Sequence, residues 1–256
     1  MFWLMAKMLV EFPAIGLWNR DLLLFFRKFW DLVLIGFIFN LAIWVDKFIF
    51  WLAPNSRMIV PYFRTHDFYE GPVFFSYITI VPTLALFLLK IETRFFEHYR
   101  NYYGKITGKM SMRSIIAEKD LLVGSIKESM REVFIFQGAI TTLCLFFTPQ
   151  LVAMAELIPL QIPVFRISLI GSFLQALLSV NVIILFYFDL RKCVLAVSAL
   201  FLAANFTFSL LTVHLGFQYY GYGFTYACFV SLLLAFYLLN VKIRDLEYVT
   251  FAGQPV

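Results

Sequence analysis

Six long apolar windows constrain this chain more than any other feature of its sequence. A membrane-spanning helix needs about 20 mostly apolar residues, and each window is close to that length. The chain is 62% hydrophobic and 14% charged, whereas ordinary soluble domains are about 25% charged. One soluble globule could not bury so much apolar surface. The windows are residues 32–53, 72–89, 133–155, 167–188, 193–213 and 221–241.

Each window predicts a transmembrane helix, because a membrane barrel would show alternating hydrophobicity instead. Pro82 lies inside the second window and predicts a kink there. The expected fold class is therefore all-α, a polytopic membrane protein with a six-helix lobe over residues 21–256. Residues 1–20 contain charges and a proline, and they predict only a partial hydrophobic segment or a lobe linker, not a seventh span or a signal peptide.

Positive charge alternates between the connections. Residues 19–31, the second and fourth connections and the segment after the last window hold 16 Lys and Arg residues, and the other connections hold three. Cytoplasmic loops are enriched in these residues, so we expect both termini in the cytoplasm. The net charge of +5 then follows from membrane orientation and indicates no nucleic-acid partner.

The second connection, residues 90–131, holds nine of the 21 Lys and Arg residues. Its first part, residues 92–103, has apolar and aromatic residues at spacings of three and four. This spacing predicts an amphipathic helix that extends from the second span along the cytoplasmic interface. Gly104 and Gly108 then interrupt the pattern. Ser111 is the predicted cap of a second helix, which runs into the third span.

Asp46 and Lys47 are charges inside the first window, in the outer third of the predicted span. A charge at the centre of a bilayer costs roughly 2.5–3.5 kcal/mol on insertion scales, and less near the interface. Two interpretations are open. The pair lines a substrate path, or it snorkels outward beside Trp44 and Trp51. Asn40 is polar and lies deeper, which slightly favours a path.

A second set of candidates lies at the predicted inner mouth. Aromatic faces stack on pyranose rings and carboxylates accept hydrogen bonds from hydroxyl or ammonium groups, so the set suits a sugar polymer. The alternative is an interfacial helix whose aromatic residues anchor in headgroups and whose charges pair along the helix. Glu92 is the strongest single candidate. The set comprises Glu92, Arg94, Phe95, Phe96 and Tyr99.

Uncharged polar residues also lie within the windows. In a membrane such side chains usually form hydrogen bonds between helices, and we expect a minority of them to line a hydrated cavity. They are Gln137, Gln150, Gln175, Asn181 and Asn205.

Signals for catalysis, a metal or a cofactor are weak. The three cysteines lie in apolar windows without CxxC spacing, and the histidines show no spacing such as HExxH. There is no GxSxG motif and no P-loop. We therefore expect no catalytic residue, metal or cofactor. One enzymatic alternative uses Asp67 and Glu70 of the first outer connection, where Arg64 and His66 instead favour a solvated loop.

Two segments carry a family resemblance: WVDKFIFWLAP at residues 44–54 and IETRFFEHYRNYYGKI at residues 91–106. They resemble segments of the Pel exopolysaccharide transporters, the PelG family, in the polysaccharide-transporter branch of the MOP flippase superfamily. The spacing also fits, with an outer connection of about 20 residues and one span between them. Members have about twelve spans in two lobes. This chain resembles the C-terminal lobe, with residues 1–18 as the end of the preceding lobe.

The resemblance implies polysaccharide export across the bacterial inner (cytoplasmic) membrane, with a cytosolic glycosyltransferase and membrane subunits of a synthase complex as partners. Pel is partly deacetylated and hence cationic, so a path lined by acids such as Asp46 and Glu92 would suit it. One lobe would supply half of a path between two lobes, which leaves open a fragment or a shortened form that needs a partner.

Two other functions stay open. One is a membrane scaffold subunit that docks a cytosolic glycosyltransferase through the basic stretch, and the other, less favoured, is a membrane glycosyltransferase.

Overall fold

The computed structural model describes residues 24, 26–61 and 63–252, except for the side chains of residues 92, 94, 249, 251 and 252. The segment predicted over residues 1–20 lies outside the described residues. The α-helices are α1 (Trp30–Trp51), α2 (Asp67–Ile78), α3 (Ile80–Lys90), α4 (Phe96–Thr107), α5 (Met112–Phe146), α6 (Thr148–Met154), α7 (Ile162–Tyr187), α8 (Arg191–Leu215), α9 (Tyr222–Arg244) and α10 (Leu246–Ala252). The other elements are strands β1 (Arg57–Val60) and β2 (Phe63–Thr65), a π-helical segment (Ile91–Phe95) and 3-10 turns at Pro159–Gln161 and Phe217–Tyr219.

The helices reproduce the predicted spans. Among the described residues, five helical stretches are long and apolar enough to cross a membrane, and there are six if one bent pair counts as a single span. α1, α7, α8 and α9 contain most of windows one, four, five and six, and α2 and α3 together form the second. The expectation of an all-α polytopic membrane fold is therefore confirmed.

The third span differs from the straight helix predicted over residues 133–155. α5 is 35 residues long and meets α6 at an angle of 77°. Pro149 explains the bend, because it has no N–H for the carbonyl of Leu145 and its ring would clash there. The Thr148 hydroxyl donates to that carbonyl over 2.9 Å instead. The helix is therefore broken at this point.

The second span is interrupted one turn before Pro82. α2 ends at Ile78 and α3 begins at Ile80. Pro82 has no N–H to donate to the carbonyl of Ile78. At the interruption, the hydroxyl of Thr79 donates to the carbonyl of Ser76 over 2.7 Å. The break thus lies where the proline weakens the helix.

Helix packing places α1, α8, α9, α7 and α2 in a row in which each contacts the next. α5 packs on α7, and α3 and α4 pack on α5. A methyl group at Gly223 of α9 would lie 2.7 Å from backbone atoms of Ser209 on α8. Such small residues allow close helix approach in membranes. The row closes on itself, because the rings of Phe50 on α1 and Tyr69 on α2 stack with centroids 3.7 Å apart.

A small antiparallel β-hairpin occupies the connection between α1 and α2, where the sequence predicted only a loop. Its residues are β-branched, aromatic or long, which favours strands, and Pro61 lies in the turn. We call this side of the bundle the hairpin end. The opposite side carries residues 90–131 and is called the basic end.

The basic stretch forms a helical hairpin. α3, the π-helical segment and α4 follow one another without a gap, and α4 then packs on α5. The predicted break at Gly104 is wrong, because α4 continues to Thr107 and ends only at Gly108. Ser111 does precede α5, but its side chain makes no capping hydrogen bond. The first helix therefore packs on a partner helix and continues the second span.

Candidate functional site

Asp46 and Lys47 form a buried ion pair on α1. Asp46 has no exposed surface and Lys47 is 9% exposed. The ammonium of Lys47 lies 3.1 Å from the Asp46 carboxylate. The interpretation in which both charges snorkel outward beside the tryptophans is therefore wrong. Both charges instead lie inside the bundle.

The Asp46 carboxylate connects three helices. The hydroxyl of Tyr69 on α2 donates to it over 2.7 Å. The amide of Asn205 on α8 donates to it over 3.4 Å and to the carbonyl of Ala42 over 2.8 Å. Ser209 donates in turn to the Asn205 amide oxygen over 2.9 Å. Buried charges are tolerated when they are paired and hydrogen-bonded in this way.

Lys47 is held by an oxygen and aromatic environment. Its ammonium donates to the carbonyl of Ile43 over 2.9 Å and to the hydroxyl of Tyr77 over 3.3 Å. It also lies 4.5 Å from the centroid of the Tyr77 ring and 5.8 Å from those of Trp44 and Phe224. Aromatic faces attract cations at these distances. Lys47 is thus the member of the pair that reaches toward Trp44. We call Asp46, Lys47, Tyr69, Tyr77 and Asn205 the polar cluster.

A groove of about 860 Å³ lies beside the polar cluster at the hairpin end, between α1 and α2. Such a volume lies in the range of about 300–1,000 Å³ that is usual for ligand sites. Lys47 lines the groove next to the rings of Trp44, Trp51, Phe74 and Tyr77. The remaining polar wall is formed by Thr65, Asp67, Glu70, Glu156 and Gln161. Aromatic and hydrogen-bonding groups are therefore combined on one surface.

Glu70 fastens the β-hairpin to the two helices that form the groove. Its carboxylate accepts hydrogen bonds from the indole N–H of Trp51, from the hydroxyl of Thr65 over 3.1 Å and from the backbone N–H of His66 over 3.0 Å. Asp67 is exposed and lies 3.5 Å from Arg57. The carboxylate of Glu70 is thus engaged in positioning the wall of the groove.

His66 does not fit the solvated loop that the sequence favoured. Its side chain has no exposed surface and lies edge-on to Phe50 and Tyr220, with ring centroids 5.2 and 5.3 Å away. Burial lowers the pKa of His66, so the ring favours its neutral form. The connection between α1 and α2 is therefore anchored in the bundle at this histidine.

Asn40 does not join the polar cluster. It is exposed, and its amide donates to the carbonyl of Gly36 on the same helix over 2.8 Å. Six residues separate it from Asp46, which is about 240° around a helix. The two side chains therefore point in different directions, and Asn40 does not line the groove.

The candidates at the basic end divide into three kinds. Phe95 is 1% exposed and packs against Tyr99 and Tyr187, with ring centroids 5.9 and 5.1 Å away. Burial raises the pKa of Tyr99 to about 12, so its hydroxyl stays protonated. Phe96 is exposed. The side chains of Glu92 and Arg94 lie outside the described part of the chain, although their backbone belongs to the π-helical segment.

Sequence reasoning missed the two tyrosines of the polar cluster. Tyr69 precedes the predicted second window, whereas α2 begins at Asp67. Asn205 was expected to bond between helices, and it does so with α1. Asp46 is the sequence feature that indicates these tyrosines, because a charge within one span needs hydrogen-bond donors from neighbouring spans. No group of His, Cys, Asp and Glu that could hold a metal occurs among the described residues.

The fold and the site are those of a multi-pass helical membrane protein that has a polar cluster and a groove between two of its spans. A family model for the PelG exopolysaccharide exporter (EPS-E) matches residues 1–251. The chain therefore belongs to the PelG exopolysaccharide exporter family, as the two sequence segments had indicated. This is a transporter family. No curated protein and no solved structure matches the chain.

Proposed function

We propose that this protein moves an exopolysaccharide across the cytoplasmic membrane as part of a synthase and export complex. The groove between α1 and α2 is the outer portion of the polymer path. The observation that carries this proposal is the position of the buried Asp46–Lys47 pair directly beside the aromatic groove. Lys47 belongs to both, because it contacts Asp46 on one side and lines the groove on the other.

The groove has the chemistry of a sugar-binding surface. Trp44, Trp51 and Phe74 offer apolar rings, and Asp67 and Glu156 offer carboxylates that accept hydrogen bonds. Ligand sites commonly combine aromatic walls with a few placed polar groups. A carboxylate surface also suits a polymer that carries ammonium groups. The polymer would slide along these rings, which would contact each of its sugar units in the same way.

The basic end faces the cytoplasm in this proposal, and both termini lie on that side. The Lys and Arg residues of residues 90–131 then obey the positive-inside rule. Arg100, Lys109 and Arg113 are exposed on the helical hairpin. They form the surface on which a cytosolic glycosyltransferase of the complex would dock. Transport proceeds by alternating access or through a conduit coupled to the synthase.

A scaffold subunit is the second candidate, and the exposed cations on the helical hairpin favour it. A scaffold has no need for a polar connection between its spans. Such a connection joins α1, α2 and α8 through Asp46, and α2 also bonds α7 through the hydroxyls of Ser76 and Ser172, 3.0 Å apart. These contacts favour transport over a purely docking role.

Two experiments test the proposal. Deletion of the gene should abolish secreted polymer while the cytosol retains its capacity for synthesis. Normal secretion by the deletion strain would contradict a role in export.

Trp44→Ala should lower export while the protein still inserts in the membrane. Trp30→Ala is the matched control, because Trp30 is exposed on the same helix but does not line the groove. Equal export by the two variants would remove the groove from the path.

The glycosyltransferase alternative has its own test. Asp67→Ala should leave polymer synthesis unchanged in a transporter, since the Asp67 side chain pairs with Arg57 at the surface. Loss of polymer synthesis itself, measured in isolated membranes that contain the inserted variant, would instead assign catalysis to this residue.

A further inference from the structure

A second groove lies at the basic end, between α5 and α9. Its volume is about 520 Å³. It is formed by different residues from the groove beside the polar cluster, and neither the family nor the proposed function assigns a ligand to it. Its walls combine basic side chains with an apolar interior.

The polarity of this groove changes along its length. On α9, Arg244 follows Phe236 by eight residues, which is about 12 Å along a helix. On α5, Lys127 precedes Met130 and the predicted third window. All four residues line the groove. Because α5 and α9 run in opposite directions, the cation on each helix lies nearer the basic end than the apolar residue on the same helix.

Two cations that line the groove are available to a ligand. Lys119 bridges the two sides, because its ammonium donates to Glu247 over 2.7 Å and to the carbonyl of Arg244 over 2.9 Å. Lys127 and Arg244 are exposed, and neither forms an ion pair with a carboxylate among the described side chains. Asp120 is the acidic residue of the lining. An anion in the groove could thus approach two cations that form no ion pair within the described part of the chain.

We propose that this groove binds an anionic phospholipid, with its phosphate between Lys127 and Arg244 and an acyl chain along Met130 and Phe236. Basic pockets between transmembrane helices are suited to anionic headgroups. A free phosphate would not use the apolar interior, and a zwitterionic lipid would gain less from the two cations. An anionic phospholipid matches both parts of the groove.

The test uses the purified full chain in phosphatidylcholine nanodiscs that contain a minor fraction of phosphatidylglycerol. Native mass spectrometry counts the phosphatidylglycerol retained by the protein. The K127Q/R244Q variant should bind it about 30-fold more weakly, because each cation near a membrane surface contributes about 1 kcal/mol. The K109Q/R113Q variant is the matched control. It loses the same charge from exposed positions that do not line the groove, and it should retain the lipid.

Three results would overturn the proposal. The first is equal retention of phosphatidylglycerol by wild type and K127Q/R244Q. The second is retention of phosphatidylcholine equal to that of phosphatidylglycerol, which would show that the groove does not select lipids by charge. The third is full competition by soluble glycerophosphate, which would show an anion site that does not use the acyl chain. These outcomes are separate from export, so they do not depend on the polymer path.

Discussion

The two ends of the bundle both pair a lysine with an acid, yet they do so in different surroundings. At the hairpin end, Asp46 and Lys47 are buried among aromatic rings between transmembrane helices. At the basic end, Lys105 donates to Glu118 over 2.7 Å, and about a third of the Lys105 side chain is exposed. Water and salt screen the second pair through the exposed part of Lys105, whereas they reach the first pair only where Lys47 lines the groove. The first pair therefore decides how the helices are held, whereas the second only supports a helical hairpin.

Asp46→Asn should have the largest effect, because it leaves Lys47 charged and buried without its partner. Removal of one member of a buried pair costs about 3–5 kcal/mol. We expect a strong loss of folded protein in the membrane, measured as the amount that survives thermal challenge in detergent. Asp245→Asn, at an exposed position after α9, is the control and should change little.

The double variant Asp46→Leu with Lys47→Met separates folding from export. It replaces both charges with apolar groups, which can restore stability. Export should stay low if Lys47 contacts the polymer. A stable double variant that exports normally would show that the pair only holds the helices together.

Tyr69→Phe should have the next largest effect on the hairpin end. It removes the hydrogen bond to the Asp46 carboxylate, and bonds to charged groups contribute about 1.5–3 kcal/mol. Tyr237→Phe, at an exposed position on α9, is the matched control. Equal thermal stability of the two variants would contradict the assigned hydrogen bond.

Glu118→Gln should cost about 0.2–1 kcal/mol of unfolding free energy, as is usual for partly exposed pairs. Lys105 and then His98 lower the pKa of Glu118 through their hydrogen bonds. A lowered pKa in the folded state stabilises it above the ordinary carboxyl pKa, and this contribution disappears as the pH falls through the folded value. The gap between wild type and variant should therefore close in acid. A gap that stays constant with pH would break the comparison of the two ends.

Asn40→Ala should have the smallest effect, within about 0.5 kcal/mol. Its amide bonds only within α1, and its side chain is exposed. Export by this variant should match wild type. A clear export defect would show that Asn40 belongs to the polymer path and that the polymer also contacts the exposed face of α1.

The sequence was sufficient for features that depend on length and composition. The spans follow from apolar length, and the weakening of the second span follows from Pro82. The buried state of Asp46 could not be predicted, because the position of Tyr69 and Asn205 beside it depends on how α2 and α8 pack against α1. The bend after α5 was readable in Pro149 but was obscured by an uninterrupted apolar window. Gly104 predicts a break, but packing of α4 on α5 outweighs the helix cost of one glycine, about 1 kcal/mol.

Labelling of a cysteine in the groove between α1 and α2 tests most directly whether the polymer passes along this groove. Phe74→Cys, in a background without Cys144, Cys193 and Cys228, lines the groove, and Leu233→Cys is a control that is exposed on α9. A charged, membrane-impermeant thiosulfonate should label Phe74→Cys in intact cells and stop polymer export, while Leu233→Cys cells continue to export. Normal export from cells with labelled Phe74→Cys, or failure of the reagent to reach it, would contradict a hydrated polymer path between these helices.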